Sequence, residues 1–403
     1  MMTPQFMRAA AVVIALLPAA AWRGMAAEKP VTAVLPPNGK FTYVERADLR
    51  RYESGKYVGL ENREVKGILQ QSMNALTATV EGTFYVLQAL DHSGAHTAQE
   101  IDHEVPVTWS IQPDGVVAVP GDGAYPTLRG FPVIPAAAIS TGDHWTGVGT
   151  RMVDPLHDGK YSRTKFFADY RFQGDVTQGQ KTVRVINATY AVRYTNGEDP
   201  AGDTRLKSLT GMHEVSIQLS MPAGAVSFMT DRVDETYTFA DGTSVQLKGF
   251  VLTWFTTTTP LNREETAAAI TKKLEESGAK DVVVEQKKEG LSVSLNNIHF
   301  VAEQAAFLPE ELPRLEALAG ALKLVARRSF RVIGHTADIG TRESQKDLSV
   351  KRAKAVVDFL AAHGIGAERF LYEGRGATEP LAPSDTEVNM AKNRRVEIFI
   401  LED

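Results

Sequence analysis

The sequence predicts an α+β chain of several domains: a β-rich sandwich or small-barrel region over residues 28–259, then a mixed α/β domain over residues 260–403. Three observations lead there. At 403 residues the chain is long enough for two or three separately cored units. From Phe41 to Phe255 runs of alternating apolar and polar residues are broken by turn pairs, Asp114-Gly115, Asn196-Gly197 and Asp241-Gly242. After Pro260 that alternation gives way to helical spacing interleaved with short apolar strands.

Composition narrows the function classes. With 43% hydrophobic and 23% charged residues, the chain reads as ordinary globular protein rather than disordered or fibrous. A net charge of -5 argues against nucleic acid as a partner, because phosphate binding normally requires a clustered basic excess. No cysteine occurs, which excludes a disulfide, a thiol nucleophile and the acylated cysteine of a lipoprotein.

Residues 1–27 read as a cleavable export signal. Arg8 precedes an apolar run from Ala9 to Ala21, and small residues end at Ala26 and Ala27. The run is shorter than the ~20 apolar residues that span a bilayer. Within the β-rich region, Thr164 to Phe172 places Phe166, Ala168, Tyr170 and Phe172 on one face, with Lys165, Asp169 and Arg171 on the other beside Phe167. Val183 to Tyr194, Val215 to Leu219 and Ser244 to Phe255 continue the pattern, and two β subdomains would also satisfy it.

Past a boundary near Thr259, Glu264 to Ser277 has helical composition and Pro309 to Val325 carries an apolar stripe of Leu315, Leu318, Ala319 and Leu322. Strands are expected at Asp281 to Glu285, Leu291 to Leu295, Phe330 to His335, Arg369 to Glu373 and Arg395 to Leu401. A further helix is expected from about Ser349 to His363, capped by Ser349 and stopped by Gly364.

Candidate sites in the β-rich region are weak. His92, His96 and His103 with Glu100 and Glu104 are irregularly spaced for a metal, and Gly94 interrupts the first pair. The run Tyr125 to Pro132, with Trp145, reads more readily as a rigid turn covering a sheet edge than as an aromatic ligand surface. Asp143 and His144 lack a nucleophile motif. No metal, cofactor or catalytic residue is assigned, and the chain is read as a non-enzyme.

The functional signal lies near the C-terminus: Gly334-His335-Thr336-Ala337-Asp338-Ile339-Gly340, Leu348-Ser349-Val350-Lys351-Arg352-Ala353 and Asn393-Arg394-Arg395-Val396-Glu397, with the approach Ile298-His299-Phe300 and the bend Gly374-Arg375-Gly376. Together these resemble the OmpA-like family from about Leu291 to Glu402. The resemblance implies a domain that binds the diamino acid of a peptidoglycan stem peptide through an aspartate after the central strand and an arginine on the next helix. Thr336, Arg352 and Arg395 stand at the family's columns. The aspartate column holds Ala337, with the carboxylate one step later at Asp338, and Gln345 replaces an expected asparagine.

Independently of the family, Arg352 placed in the first turn of its helix would oppose the macrodipole, so a carboxylate ligand there would be favoured. The ligand-binding set is therefore Thr336, Asp338, Gln345, Arg352 and Arg395. One step along an extended backbone reverses a side chain, so Asp338 serves as the ammonium acceptor only where the loop leaves strand geometry.

These readings lead to an exported periplasmic protein, associated with the outer membrane, that holds peptidoglycan through its C-terminal domain and an envelope protein through its β-rich region. Two alternatives are an envelope scaffold whose wall site is lost, and an outer-membrane barrel with a wall-binding tail.

Overall fold

A computed structural model describes residues 31–403 apart from 33–38, 75–76, 88–96, 112–116, 121–122, 136–137, 222–223, 288, 302–304 and 326. The export segment expected at residues 1–27 lies outside the described residues, as do His92 and His96.

Ten long strands build the first half: β1 (Gly39–Glu53), β2 (Lys56–Asn74), β3 (Thr77–Leu87), β4 (Gln99–Ile111), β5 (His144–Val153), β6 (Ser162–Gln178), β7 (Lys181–Thr195), β8 (Leu206–Ser220), β9 (Ala225–Phe239) and β10 (Ser244–Thr257). They pair antiparallel in the order β4-β3-β2-β1-β10-β9-β8-β7-β6-β5. The pairing runs unbroken from β4 to β5. The alternation read from the sequence is borne out on β6, where Phe166, Ala168, Tyr170 and Phe172 are buried and Lys165, Asp169 and Arg171 are exposed.

The inward face of the curled sheet is crowded with aromatics, and glycines make room for them. A Cβ on Gly149 would come within 2.2 Å of the Phe166 ring, and one on Gly147 within 2.7 Å of Val133. Trp145 stacks on Tyr170 at 5.5 Å and donates its indole N–H to the Val133 carbonyl at 2.7 Å. Its expected packing role is what the structure contains.

The second half begins after a short connection. Helix α1 (Arg263–Glu276) is capped by Asn262, whose side chain accepts from the Glu265 N–H, and precedes strands β11 (Val282–Lys287) and β12 (Gly290–Leu295). Then come α2 (Leu312–Leu322), β13 (Phe330–His335), α3 (Arg342–Ala362), β14 (Phe370–Gly376), the short α4 (Glu387–Asn393), which sequence reading missed, and β15 (Val396–Ile400). The strands pair in the order β11-β12-β15-β13-β14, with only β13 and β14 parallel.

One face of this sheet carries Val293, Phe330, Val332, Phe370 and Ile398 against the apolar sides of α1, α2 and α3. The other face lies on the first half. Ile333, Leu371, Phe399 and Leu401 pack with Tyr85, Leu87 and Ile101, and β14 pairs in parallel with the start of β4 at Leu371–Gln99 and Tyr372–Glu100. Both faces being covered explains why every residue of β12, β13 and β15 is buried.

Candidate functional site

The site is assembled where β13 runs into α3. At the strand's end the Thr336 N–H donates to the Gly376 carbonyl at 2.9 Å, tying the loop to β14. Gly340 adopts φ +86°, a left-handed turn suited to glycine, and the chain enters α3 through a capping box between Thr341 and Ser344.

This start overturns the helix boundary expected from sequence. Helix α3 begins seven residues before Ser349, because Thr341 supplies the cap and the polar run 342–347, exposed except at Gln345, continues the helix. Ser349 is inside the helix, fully buried, donating to the Lys346 carbonyl at 2.7 Å and accepting from the Gly376 N–H at 2.9 Å. Arg352 is therefore in the helix interior rather than its first turn, and the unsatisfied N–H groups of a helix start are not beside it.

Arg352 is unusual for another reason. Its guanidinium lies over the Phe300 ring, 4.8 Å from the centroid, and its Nε is buried without a hydrogen-bond partner among the described residues. No described carboxylate forms an ion pair with it. Burial first, and the neighbouring charge of Arg394 second, pull its pKa below the ordinary arginine value. Arg394 is itself engaged by Glu387. Chemically this is a partly desolvated cation on an aromatic floor, a setting in which a carboxylate gains both charge pairing and a forked hydrogen bond.

The displaced aspartate behaves as the side-chain alternation implies. Ala337 is buried and Asp338 points to solvent. The Asp338 N–H donates to Ser384 Oγ at 3.1 Å, and its Oδ1 accepts from Gln345 Nε2 at 2.9 Å. Gln345, nearly fully buried, also donates to the Gly340 carbonyl at 3.3 Å. The two residues that depart from the family's pattern thus hold each other.

The remaining predicted residues separate. Thr336 is buried with its hydroxyl lacking a partner among the described residues. Arg395 is only 3% exposed and is engaged internally, its Nε donating to Glu397 at 2.7 Å and a terminal nitrogen to the Glu379 carbonyl at 3.2 Å. Beside it His335 is buried, and burial together with the Arg395 charge pushes its pKa down to about 3, so the ring is neutral.

Two participants were assigned no role by sequence reading. Phe300 forms the floor under Arg352. Asn393 accepts from the Leu381 and Ala382 N–H groups at 2.8 and 3.0 Å and donates to Ser384 Oγ at 3.1 Å, positioning the hydroxyl that holds Asp338. Both lie in motifs visible in the sequence, but only the fold brings them to the loop. Of the suspected metal cluster, Glu104 faces Arg331 and Arg375, while His103 contacts Asp102.

A mixed sheet with helices on one face, a polar loop after its central strand and an arginine on the following helix defines an OmpA-type module. Residues 299–394 match the model of the OmpA family, and the chain carries an OmpA domain in its C-terminal part. Among its relatives, the probable lipoprotein YiaD of Escherichia coli (strain K12) is 34% identical over 105 residues, 26% of this chain and 48% of that protein. The peptidoglycan-binding protein ArfA of Mycobacterium tuberculosis (strain ATCC 25618 / H37Rv) is 33% identical over 103 residues, 26% of this chain and 32% of that protein. The peptidoglycan-associated lipoprotein of Pseudomonas aeruginosa is 31% identical over 105 residues, 26% of this chain and 62% of that protein. Each match spans less than two thirds of the relative's own length. The solved cell wall anchor of the T6SS from Pseudomonas aeruginosa is 30% identical, covers 35% of this chain and 100% of that chain, and superposes with a TM-score of 0.30.

Proposed function

We propose that this chain is an exported, non-enzymatic envelope protein that associates non-covalently with peptidoglycan through its OmpA domain. Relatives named for peptidoglycan binding support the ligand class. The observation that carries the reading in this chain is Arg352, a half-buried cation over Phe300 with no carboxylate paired to it among the described residues. A stem-peptide carboxylate supplies that partner, and the exposed Asp338 in the loop before α3 is the candidate to receive an amine. The β-rich half then faces a further envelope component in the periplasm. Its buried apolar inner face and its exposed Lys165, Asp169 and Arg171 support a water-facing exterior, although Phe167, Met212 and Phe250 are exposed on the outside as well.

Co-sedimentation of the full chain with purified sacculi tests this. Arg352→Ala is expected to lower wall binding at least tenfold and Arg352→Lys to restore part of it, since lysine keeps the charge but not the fork. Equal sedimentation of wild type and Arg352→Ala would overturn the proposal.

A specific observation favours a second reading, an envelope scaffold whose wall site is lost. The family's aspartate column is filled by buried Ala337, and one oxygen of Asp338 is already held by Gln345. Absence of wild-type binding to sacculi is its expected result.

A further inference from the structure

The curled sheet of the first half encloses a cavity of about 230 Å³, to which nine of its strands contribute. Its walls are mainly apolar, with Phe41, Leu69, Phe84, Trp109, Met229 and Phe255 facing the space. An apolar cavity of ~150 Å³ already accepts a molecule the size of benzene, so this one has room for a larger apolar group. The segment Pro126 to Pro132 and the turn Asp154 to His157 line it together with the strands.

The charged groups in the lining are not equivalent. Arg151 pairs with Glu235 at 3.1 Å, and Asp231 is held by His213 at 2.8 Å, so that side of the cavity is internally neutralised. Glu61 is engaged by Arg51 at 2.9 Å and His157 at 2.7 Å, and Glu45 accepts from the Tyr43 hydroxyl. Arg63 donates to the Tyr125 hydroxyl and is in salt-bridge contact with no described residue, although the Glu45 and Glu61 carboxylates act on its charge. Burial pulls its pKa down, but Tyr125 and Glu45 nearby outweigh that and hold it above the ordinary value, so the side chain is a cation. A desolvated arginine bonded to a neutral phenol gains substantially from an anion that completes its fork.

We infer that this cavity is a binding site for a single-chain amphiphile with an acidic headgroup, its hydrocarbon against Phe84, Trp109, Met229 and Phe255 and its headgroup at Arg63. Apolar burial supplies the affinity and Arg63 supplies the orientation and the preference for acid over alcohol. The site is in the β-rich half and does not rest on the wall-binding reading.

The probe is cis-parinaric acid, a fatty acid whose fluorescence rises in apolar surroundings, titrated into the full chain below micelle-forming concentrations. Saturable binding of one probe per chain is expected, with palmitate displacing it at least ten times more effectively than 1-hexadecanol. Arg63→Met is expected to keep probe binding while narrowing that preference to less than threefold. Met229→Trp, which fills the cavity, is expected to abolish binding with an unchanged circular dichroism spectrum. Three results would each overturn the inference: no saturable binding, equal displacement by acid and alcohol, or binding unaltered in a folded Met229→Trp, which would mark surface adsorption only. The wild-type headgroup comparison decides the matter even if that variant does not fold. Sacculus binding measured on the same preparations is expected to be unchanged by Arg63→Met, so the two proposals fail independently.

Discussion

Gln345 Nε2 donates a 2.9 Å hydrogen bond to Asp338 Oδ1, coupling the displaced carboxylate to the second position at which this chain departs from its family. Glutamine is one methylene longer than asparagine, and that length lets a buried stem on α3 reach an exposed carboxylate in the preceding loop. The bond orients the exposed aspartate.

The first prediction follows from that bond. Removing a hydrogen-bonded charged partner typically costs about 1.5–3 kcal/mol, so Asp338→Ala is expected to weaken stem-peptide binding at least tenfold by calorimetry. Gln345→Leu, which keeps the buried stem and deletes the donor, should weaken it less. Equal affinity for wild type and Asp338→Ala would remove Asp338 from the site.

Arg395 yields a different expectation. Its place against Glu397 and the Glu379 carbonyl, at 3% exposure, makes it a structural cation. Glu397 is also held by Lys287 at 2.6 Å, so Arg395→Ala should cost about 3 kcal/mol of stability, the lower end for breaking a buried pair. Urea denaturation measures this. A variant as stable as wild type but unable to hold sacculi would return Arg395 to the ligand set.

The join between the two halves is expected to respond to pH. Arg331 lies between Glu104 of the first half and Glu373, 2.6 Å from the latter, and Arg375 bonds Glu104 at 2.7 Å. Burial, and repulsion from Glu373, push the Glu104 pKa up to about 7. An acid with a raised folded pKa binds more protons folded than unfolded, so its contribution is complete below about 4.5, the ordinary glutamate value, and declines as pH rises towards about 7. Thermal midpoints between pH 5 and 8 should therefore fall less steeply in Glu104→Gln than in wild type. Parallel profiles would contradict this assignment.

Two glycines should respond oppositely to the same substitution. A Cβ on Gly334 would sit 2.1 Å from the Ser349 carbonyl oxygen, because α3 rests directly on β13 there. Gly334→Ala is expected to destabilise by about 1–3 kcal/mol or more. Gly320 in α2 has nothing within 4 Å of its Cβ position, so Gly320→Ala should stabilise by about 0.4–1 kcal/mol. Denaturant midpoints of both variants are the measurement.

Much of this was legible in the residues. Period-two alternation located β6, β7, β8 and β10, and helical spacing located α1 and α2, because each such element buries one face and its pattern records which. The motifs around Gly334, Arg352 and Asn393 located the OmpA domain. The start of α3 was not legible: residues 342–347 are polar, and the Thr341–Ser344 cap looks no different from a loop until its geometry is formed.

By itself the sequence determined the strand-rich first half and the place of the C-terminal OmpA domain, since these follow from local periodicity and short-range motifs. Tertiary structure alone decided the rest. It set Arg352 in a helix interior over Phe300, closed Arg395 onto Glu397, joined Asp338 to Gln345 and gathered side chains from nine strands around one cavity. It also covered the second face of the C-terminal sheet, turning Arg331, Glu373 and Glu397 from apparent solvent-facing strand residues into buried charges. The physical reason is common to all of these. Periodicity tells which residues share a face, but which partner covers that face, and so whether a charge there meets water, an ion pair or a ligand, depends on contacts between segments distant in the chain.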